Sequence, residues 1–162
     1  MSLWDWVVGA TLRAVPLTKD TPEGATARIC GVARLLPGDE PFVPPVRSVP
    51  CVVAHIHFAL MRSPNDRRTA TKIERIHNRP FLIVADDVEA IVDASHLSLK
   101  IEKLVEGTTE ERSVPVGSRI AVTGIVMRDG AVRPNSDISF REAKPIVKLV
   151  GNRRHPVVIR PC

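Results

Sequence analysis

The sequence predicts an all-β protein, with one small β-barrel domain preceded by a short N-terminal helix. Fourteen prolines and nine glycines divide the 162 residues into short segments, which favours turns over long helices. Two segments share one layout, in which a glycine opens a strand and a second glycine follows seven positions later: Gly24 with Gly31, and Gly117 with Gly124. An internal glycine permits the bend or bulge of a small curled barrel. The predicted strands do not alternate with helices, so a parallel sheet is disfavoured.

The N-terminal helix is predicted between residues 2 and 15, and Pro16 ends it. Its apolar side chains recur near the helical period at Trp4, Val7, Val8, Leu12 and Val15. We expect this helix to cover one mouth of the barrel or to dock on a partner protein. Contact with a membrane surface through Trp4 and Trp6 is the less favoured alternative, because the segment contains a single basic residue, Arg13.

The strands are predicted from runs of apolar and alternating residues between turn signals. They lie at 25–36, 51–62, 67–77, 80–85, 90–93, 97–105, 117–128, 138–141, 146–150 and 157–159. Residues 67–77 form either a strand or a hairpin arm, and the polar segment 107–115 is predicted to be a loop. A two-residue hairpin turn is predicted at Arg128-Asp129-Gly130. Segment 41–50 contains four prolines and must run extended, either as a contact for a partner or as a strap over the open edge of the barrel.

Composition places the chain among ordinary globular proteins. Hydrophobic residues make up 44% and charged residues 25%, and the length suits one domain at residues 20–162 behind the extension 1–19. The net charge of +5 permits an anionic partner. Two Trp, four Phe and no Tyr weigh against a surface on which bases stack.

The three cysteines, Cys30, Cys51 and Cys162, show no paired spacing. We therefore expect no disulfide framework and a reducing compartment. The sequence shows neither a signal peptide nor a stretch long enough to span a bilayer, so a soluble cytoplasmic protein is expected.

Cys51, His55 and His57 are predicted to share one face of strand 51–62, in a C-x3-H-x-H pattern. Alternate residues of one strand can converge on a metal, but a structural zinc site needs further ligands. No second Cys/His cluster is visible in the sequence. We predict histidines on a half-exposed sheet face and no metal or other cofactor.

An acidic group, Asp86, Asp87, Glu89 and Asp93, is the other candidate for chemistry. Two carboxylates can perform acid–base work, and a small-ligand or enzymatic barrel would use Asp86 and Asp87 with His55 and His57. Aspartates beside a turn more often satisfy local backbone groups. We therefore predict that the protein is not an enzyme and has no catalytic residues.

Two basic segments could bind phosphates. They contain Arg67, Arg68, Lys72 and Arg75 within 67–79, and Arg153 and Arg154 within 153–155. These residues define an alternative function, a nucleic-acid-binding barrel of the OB type. A solvated charged face is the simpler interpretation of each segment.

Three short motifs resemble the GIDE domain family. The first runs from the Gly24-x6-Gly31 strand to Val43-Pro-Pro-Val-Arg-Ser-Val-Pro-Cys-Val52. The second combines Pro80-Phe-Leu-Ile-Val-Ala-Asp-Asp87 with Ala90-Ile-Val-Asp-Ala94. The third is the acidic pair Glu110-Glu111 followed by the glycine-flanked strand that ends at Gly124.

The resemblance covers residues 20–143 and implies a β-rich domain. GIDE domains occur in membrane-anchored E3 ubiquitin ligases with a RING finger and in bacterial membrane proteins. This sequence has no predicted transmembrane helix and no Cys/His array for a RING, so ligase activity is not implied. The family also supplies no catalytic residues to place here.

Together these observations predict a non-enzymatic binding or scaffold module, acting as an adaptor or as a subunit of a larger assembly. The expected partner is a protein. The residues predicted to contact it are Trp4, Trp6, Val43, Pro44 and Pro45, since exposed tryptophans and prolines suit protein interfaces.

Overall fold

The computed structural model describes residues 14–61, 70–129 and 146–162, and these ranges contain twelve β-strands and no helix. The strands are β1 (Val15–Pro16), β2 (Thr26–Leu35), β3 (Cys51–Met61), β4 (Ala70–Asn78), β5 (Phe81–Val84), β6 (Glu89–Val92), β7 (Leu97–Leu99), β8 (Leu104–Glu106), β9 (Thr109–Pro115), β10 (Arg119–Asp129), β11 (Ile146–Val150) and β12 (Val157–Pro161). The all-β prediction is confirmed.

The predicted N-terminal helix is not seen. Residues 1–13 lie outside the described residues, and with them Trp4 and Trp6. The end of the segment, Val15–Pro16, is a short strand paired in parallel with Ala27 and Arg28 of β2. This part of the helix prediction is wrong, because the chain gains backbone hydrogen bonds to the barrel instead of continuing a helical turn.

Five strands close into a barrel in the order β2-β5-β6-β11-β10, and β10 pairs back with β2. The β6–β11 pair is parallel and the other four barrel pairs are antiparallel. If the five barrel strands alone are numbered 1 to 5 in chain order, their spatial order around the barrel is 1-2-3-5-4. β12 extends the wall beside β10, and β7 pairs in parallel with β12.

Alternating residues of these strands fill the barrel interior, as strand geometry requires. The largest fully buried side chains there are Phe81, Ile83, Leu149 and Ile159. Gly31 marks a close backbone approach, since a Cβ at this position would lie 2.6 Å from the carbonyl oxygen of Val84. Gly24 and Gly117 have positive φ angles of 85° and 87° and begin the two strands as turn residues. The predicted turn roles of Gly24 and Gly117 are confirmed, and Gly31 lies where a Cβ would clash, although the register of β2 with β10 shows no bulge there.

A second sheet, in the order β4-β3-β9-β8, is built from two insertions into the barrel sequence. The hairpin β3–β4 lies between β2 and β5 along the chain, and β8 and β9 lie between β6 and β10. Within the described ranges, no helix is long and apolar enough to cross a membrane.

Some element predictions need correction. The polar segment 107–115 is mostly strand β9 rather than a loop, because Glu111 and Ser113 are buried and bonded within the fold. Segment 97–105 divides into β7 and the start of β8. The hairpin turn predicted at Arg128-Asp129-Gly130 is wrong at its first two residues, since β10 continues to Asp129 in register with β11; Gly130 lies outside the described residues. The predicted strand 138–141 lies outside the described residues.

Candidate binding surfaces

The proline-rich segment 41–50, here called the strap, lies across one face of the second sheet. Phe42 and Cys51 form an antiparallel bridge, and the Phe42 ring stacks on His77 of β4 with 4.4 Å between ring centroids. Pro44 is buried, whereas Val43 and Pro45 are exposed. The strap therefore covers this sheet instead of the open edge of the barrel, and Pro44 is not available to a partner.

Glu111 of β9 holds the strap on the second sheet through hydrogen bonds. Its side chain is fully buried, and its two carboxylate oxygens accept hydrogen bonds from the backbone N–H groups of Val46 and Arg47, each at 3.0 Å. The Ser113 hydroxyl donates to the same carboxylate at 3.0 Å and accepts a bond from Arg47 Nε at 3.0 Å. A buried carboxylate is tolerated only with such partners, and these bonds hold the strap on the second sheet.

Cys51 lies at the junction of the strap and β3, and it does not join the two histidines. The β3–β9 register shifts between Cys51 and Val53, which turns Cys51 toward the side of the sheet that carries Ser113. Burial raises the pKa of the Cys51 thiol, although the hydrogen bond with Ser113 opposes this. The predicted grouping of Cys51 with His55 and His57 is therefore wrong.

The opposite face of the second sheet, here called the open face, carries the two histidines and the residues in register with them. His55 pairs across the strands with Ile76 and Arg112, and His57 pairs with Glu74 and Glu110. Val105 of β8 lies in register with Glu110 of β9.

The histidines of the open face have polar partners in the sheet. His55 Nε2 lies 3.0 Å from Asn78 Oδ1, and His57 Nε2 lies 3.8 Å from Glu74 Oε1. Burial lowers the pKa of His55, and its hydrogen bond with Asn78 acts in the opposite direction. No cluster of three or more potential metal ligands occurs among the residues that the structure describes.

The acidic residues predicted for acid–base chemistry lie on the barrel. Asp86 and Asp87 are exposed in the turn between β5 and β6, which is closed by a 2.9 Å hydrogen bond from Ala85 N to Val88 O. His55 and His57 belong to the second sheet, and in the described ranges no hydrogen bond or ion pair joins the two groups. The structure does not assemble this candidate catalytic set.

The two predicted basic segments lie on different sheets. Arg67 and Arg68 fall outside the described residues, as does the side chain of Lys72 in β4, while Arg75 is exposed on β4. Arg153 and Arg154 are exposed in the turn between β11 and β12 of the barrel sheet. Asn152 shapes that turn, since its side-chain oxygen accepts bonds from the backbone N–H groups of Arg154 and His155.

A further basic surface was not predicted from the sequence. Four exposed arginines lie on the outer face of three adjacent strands of the barrel sheet, here called the arginine wall: Arg28 and Arg34 of β2, Arg119 of β10 and Arg160 of β12. The β2–β10–β12 register arranges Arg34, Arg119 and Arg160 along a diagonal, each one strand across and two residues along from the next. Strand geometry gives Cα spacings of about 8 Å for such steps.

The arginine wall contains no acidic residue between its members. The intervening outward positions are occupied by Cys30, Val32, Ala121, Thr123 and Val158. Among the described residues, no carboxylate forms a salt bridge with any of the four arginines. Their charges are therefore available to an external anion.

Arg128, in contrast to the four arginines of the wall, has a structural role. Its Nε and Nη2 atoms donate to the backbone oxygen of Thr21 at 3.0 Å and 2.6 Å. This side chain is committed to holding the segment before β2 and contributes little to an external anion site.

A disulfide between Cys30 and Cys162 lies within the arginine wall, contrary to the sequence prediction. The two residues are 132 positions apart, with Cα atoms 5.9 Å from each other. Ala121 of β10 lies between their strands and is only 2% exposed despite its outward position. The pairing was not predictable from spacing, because only barrel closure brings β2 and the end of β12 together. The expectation of a reducing compartment loses this support.

The alternation of buried and exposed residues along each strand indicates which arginines point outward. Arg28 and Arg34 fall on the same parity of β2, opposite to the buried Ala27, Ile29 and Ala33. Runs of adjacent charge in the sequence do not reveal this surface, because its arginines are spaced along three separate strands.

Comparison with known proteins gives no relative: no family model, no curated protein and no solved structure matches this chain. The resemblance to GIDE domains stays a prediction.

Proposed function

We propose that this protein is a non-enzymatic binding module, a barrel of the OB type that binds nucleic acid through the arginine wall. The observation that carries the proposal is the set of four exposed arginines on β2, β10 and β12 with no acidic residue between them. Phosphate contacts from Arg supply most of the affinity of sequence-independent binding.

The barrel topology supports the OB assignment. The order 1-2-3-5-4, closed by pairing of the first and fourth strands, is the arrangement of a five-stranded OB barrel, a fold that commonly binds oligonucleotides. The hairpin β3–β4 occupies the connection between the first two barrel strands, and this connection carries ligand contacts in many OB folds. It includes Arg75 of the predicted basic segment.

The expected mode of binding is to the phosphate backbone. A guanidinium presents two parallel N–H donors to a phosphate, whereas the outward positions between the arginines hold aliphatic or small side chains rather than aromatic rings. Without stacking platforms, little discrimination between bases is expected.

Fluorescence anisotropy with a labelled single-stranded oligonucleotide tests the proposal. Contacts to four phosphates give a slope of log affinity against log salt near −2.8, at roughly −0.7 per phosphate. The double variant R119Q/R160Q is expected to reduce the slope by about 1.4 and to weaken binding equally for different base sequences.

The control for this experiment is R112Q, which removes a positive charge from the second sheet and leaves the arginine wall intact. The variants R75Q and R154Q test the basic segments predicted from the sequence. Binding that is unchanged in R119Q/R160Q but lost in R75Q or R154Q contradicts the assignment to the arginine wall. The absence of binding at low salt contradicts the function.

A protein partner remains the second candidate, as expected for an adaptor. The open face of the second sheet exposes two large apolar side chains, Ile76 at 50% and Val105 at 59%. Both lie on the face that the strap does not cover. Loss of a co-purifying partner in the I76S/V105S variant, with retention in R119Q/R160Q, would favour this function.

A further inference from the structure

The disulfide Cys30–Cys162 is placed where it can control the arginine wall. Cys30 lies two residues from Arg28 on the same face of β2, and Cys162 lies two residues after Arg160. Register connects the same region across the strands, since Cys30 pairs with Ala121 and Ala121 pairs with Arg160. The sulfur bridge therefore joins the two outer strands of the wall across β10.

The disulfide fixes a part of β12 that has few other restraints. Val158 and Ile159 pair with both β10 and β7, whereas Arg160 and Pro161, at the end of the strand, pair with β10 alone. Backbone ends held along one edge fray more readily than central strand residues. The covalent link from Cys162 to β2 removes this freedom and holds Arg160 beside Arg119.

The bond is accessible to a reductant. Cys162 is exposed and Cys30 is half-buried, in contrast to the buried thiol of Cys51. An external dithiol attacks the sulfur of Cys162, the more exposed of the two residues, as a thiolate and releases the Cys30 thiolate, and its second thiol then displaces Cys162. Two electrons pass to the protein: its disulfide becomes two thiols after protonation, and the dithiol becomes a disulfide.

We propose that Cys30–Cys162 is a redox switch for the arginine wall, with the oxidised form binding a phosphate backbone more tightly than the reduced form. This inference rests on the proposed function. Holding the backbone that carries Arg160 before binding removes part of the ordering cost of the complex, which corresponds to a change in affinity of about threefold to tenfold. Reduction is expected to weaken binding by this factor.

The test compares the oxidised and the dithiol-reduced protein in the anisotropy assay with the single-stranded oligonucleotide. Thiol titration assigns the redox state, since one free thiol is expected before reduction and three after it. The variant C30S/C162S should bind like the reduced protein under both conditions. The control C51A retains the disulfide and should keep the full redox response.

Amide hydrogen exchange gives a second readout that does not require a stable variant. Reduction of the unmodified protein should increase exchange at the amides of Arg160 and Cys162 while the barrel strands β5 and β6 stay protected. Equal affinity of the oxidised and reduced forms, or unchanged exchange at these two amides, overturns the switch while leaving the proposed function intact. No binding in either form overturns the proposed function and, with it, this inference.

Discussion

Replacing Glu111 by alanine removes the group that holds the strap on the second sheet. The substitution eliminates the hydrogen bonds from Val46 N and Arg47 N and the bond from Ser113 Oγ. A hydrogen bond to a charged acceptor contributes about 1.5–3 kcal/mol, and a buried donor left without a partner costs about 1–3 kcal/mol.

The expected loss of stability is smaller than the sum of these bonds. Val46 and Arg47 are only partly buried, so water can reach their N–H groups once the carboxylate is gone. We therefore expect E111A to lower the free energy of unfolding by about 2–4 kcal/mol. For a domain of this size, that corresponds to a fall in Tm of roughly 4–16 °C.

Urea unfolding measures this loss, and the neighbouring Glu110 supplies the matched control. Glu110 is half exposed and its carboxylate lies 3.4 Å from Lys103 Nζ. A surface ion pair of this kind contributes about 0–1 kcal/mol, so E110A should be nearly neutral. Hydrogen exchange at the amides of Val46 and Arg47 should accelerate in E111A alone. If E111A is as stable as E110A, the strap is not held by the buried carboxylate and the reasoning fails.

Three further predictions concern the barrel and the histidine face. The C30S/C162S variant should lose up to about 5 kcal/mol of unfolding free energy, the chain-entropy value for a link spanning 132 residues, and an unchanged urea midpoint would contradict it. Because burial lowers the pKa of His55 below its ordinary value of 6.5, the unfolded chain takes up a proton first as pH falls. Unfolding free energy should therefore decrease as the pH falls through 6.5, and urea titrations of H55Q should show a shallower decrease. Gly31→Ala places a Cβ 2.6 Å from the Val84 carbonyl oxygen and should cost at least about 1–3 kcal/mol, and a neutral effect in thermal unfolding would refute the tight approach of β2 and β5.

The sequence predicted the barrel strands from features that each strand carries locally. The alternation in Thr26–Leu35 and the short apolar run Phe81–Val84 are properties of neighbouring residues, and both segments are strands in the structure. Segment 107–115 is predicted to be a loop because its polar residues suggest solvent exposure, but residues 109–115 form β9. Its buried Glu111 finds partners in the strap, about 65 residues away along the chain.

The candidate binding surface could not be predicted in the same way. Arg119 and Arg160 lie 41 positions apart along the chain, and their proximity depends on the register of β10 against β12. The predicted contact residue Pro44 is buried for a similar reason, since the path of the strap over the sheet is fixed by Glu111 and Phe42.

The sequence by itself determined the all-β class, the turns at Gly24 and Gly117 and the close approach at Gly31, because backbone geometry and two-residue alternation are local properties. Only the tertiary structure decided that the barrel closes by pairing β2 with β10, that Cys30 meets Cys162 and that four arginines share one surface. These contacts join residues that are distant along the chain, and strand register fixes them when the whole core packs.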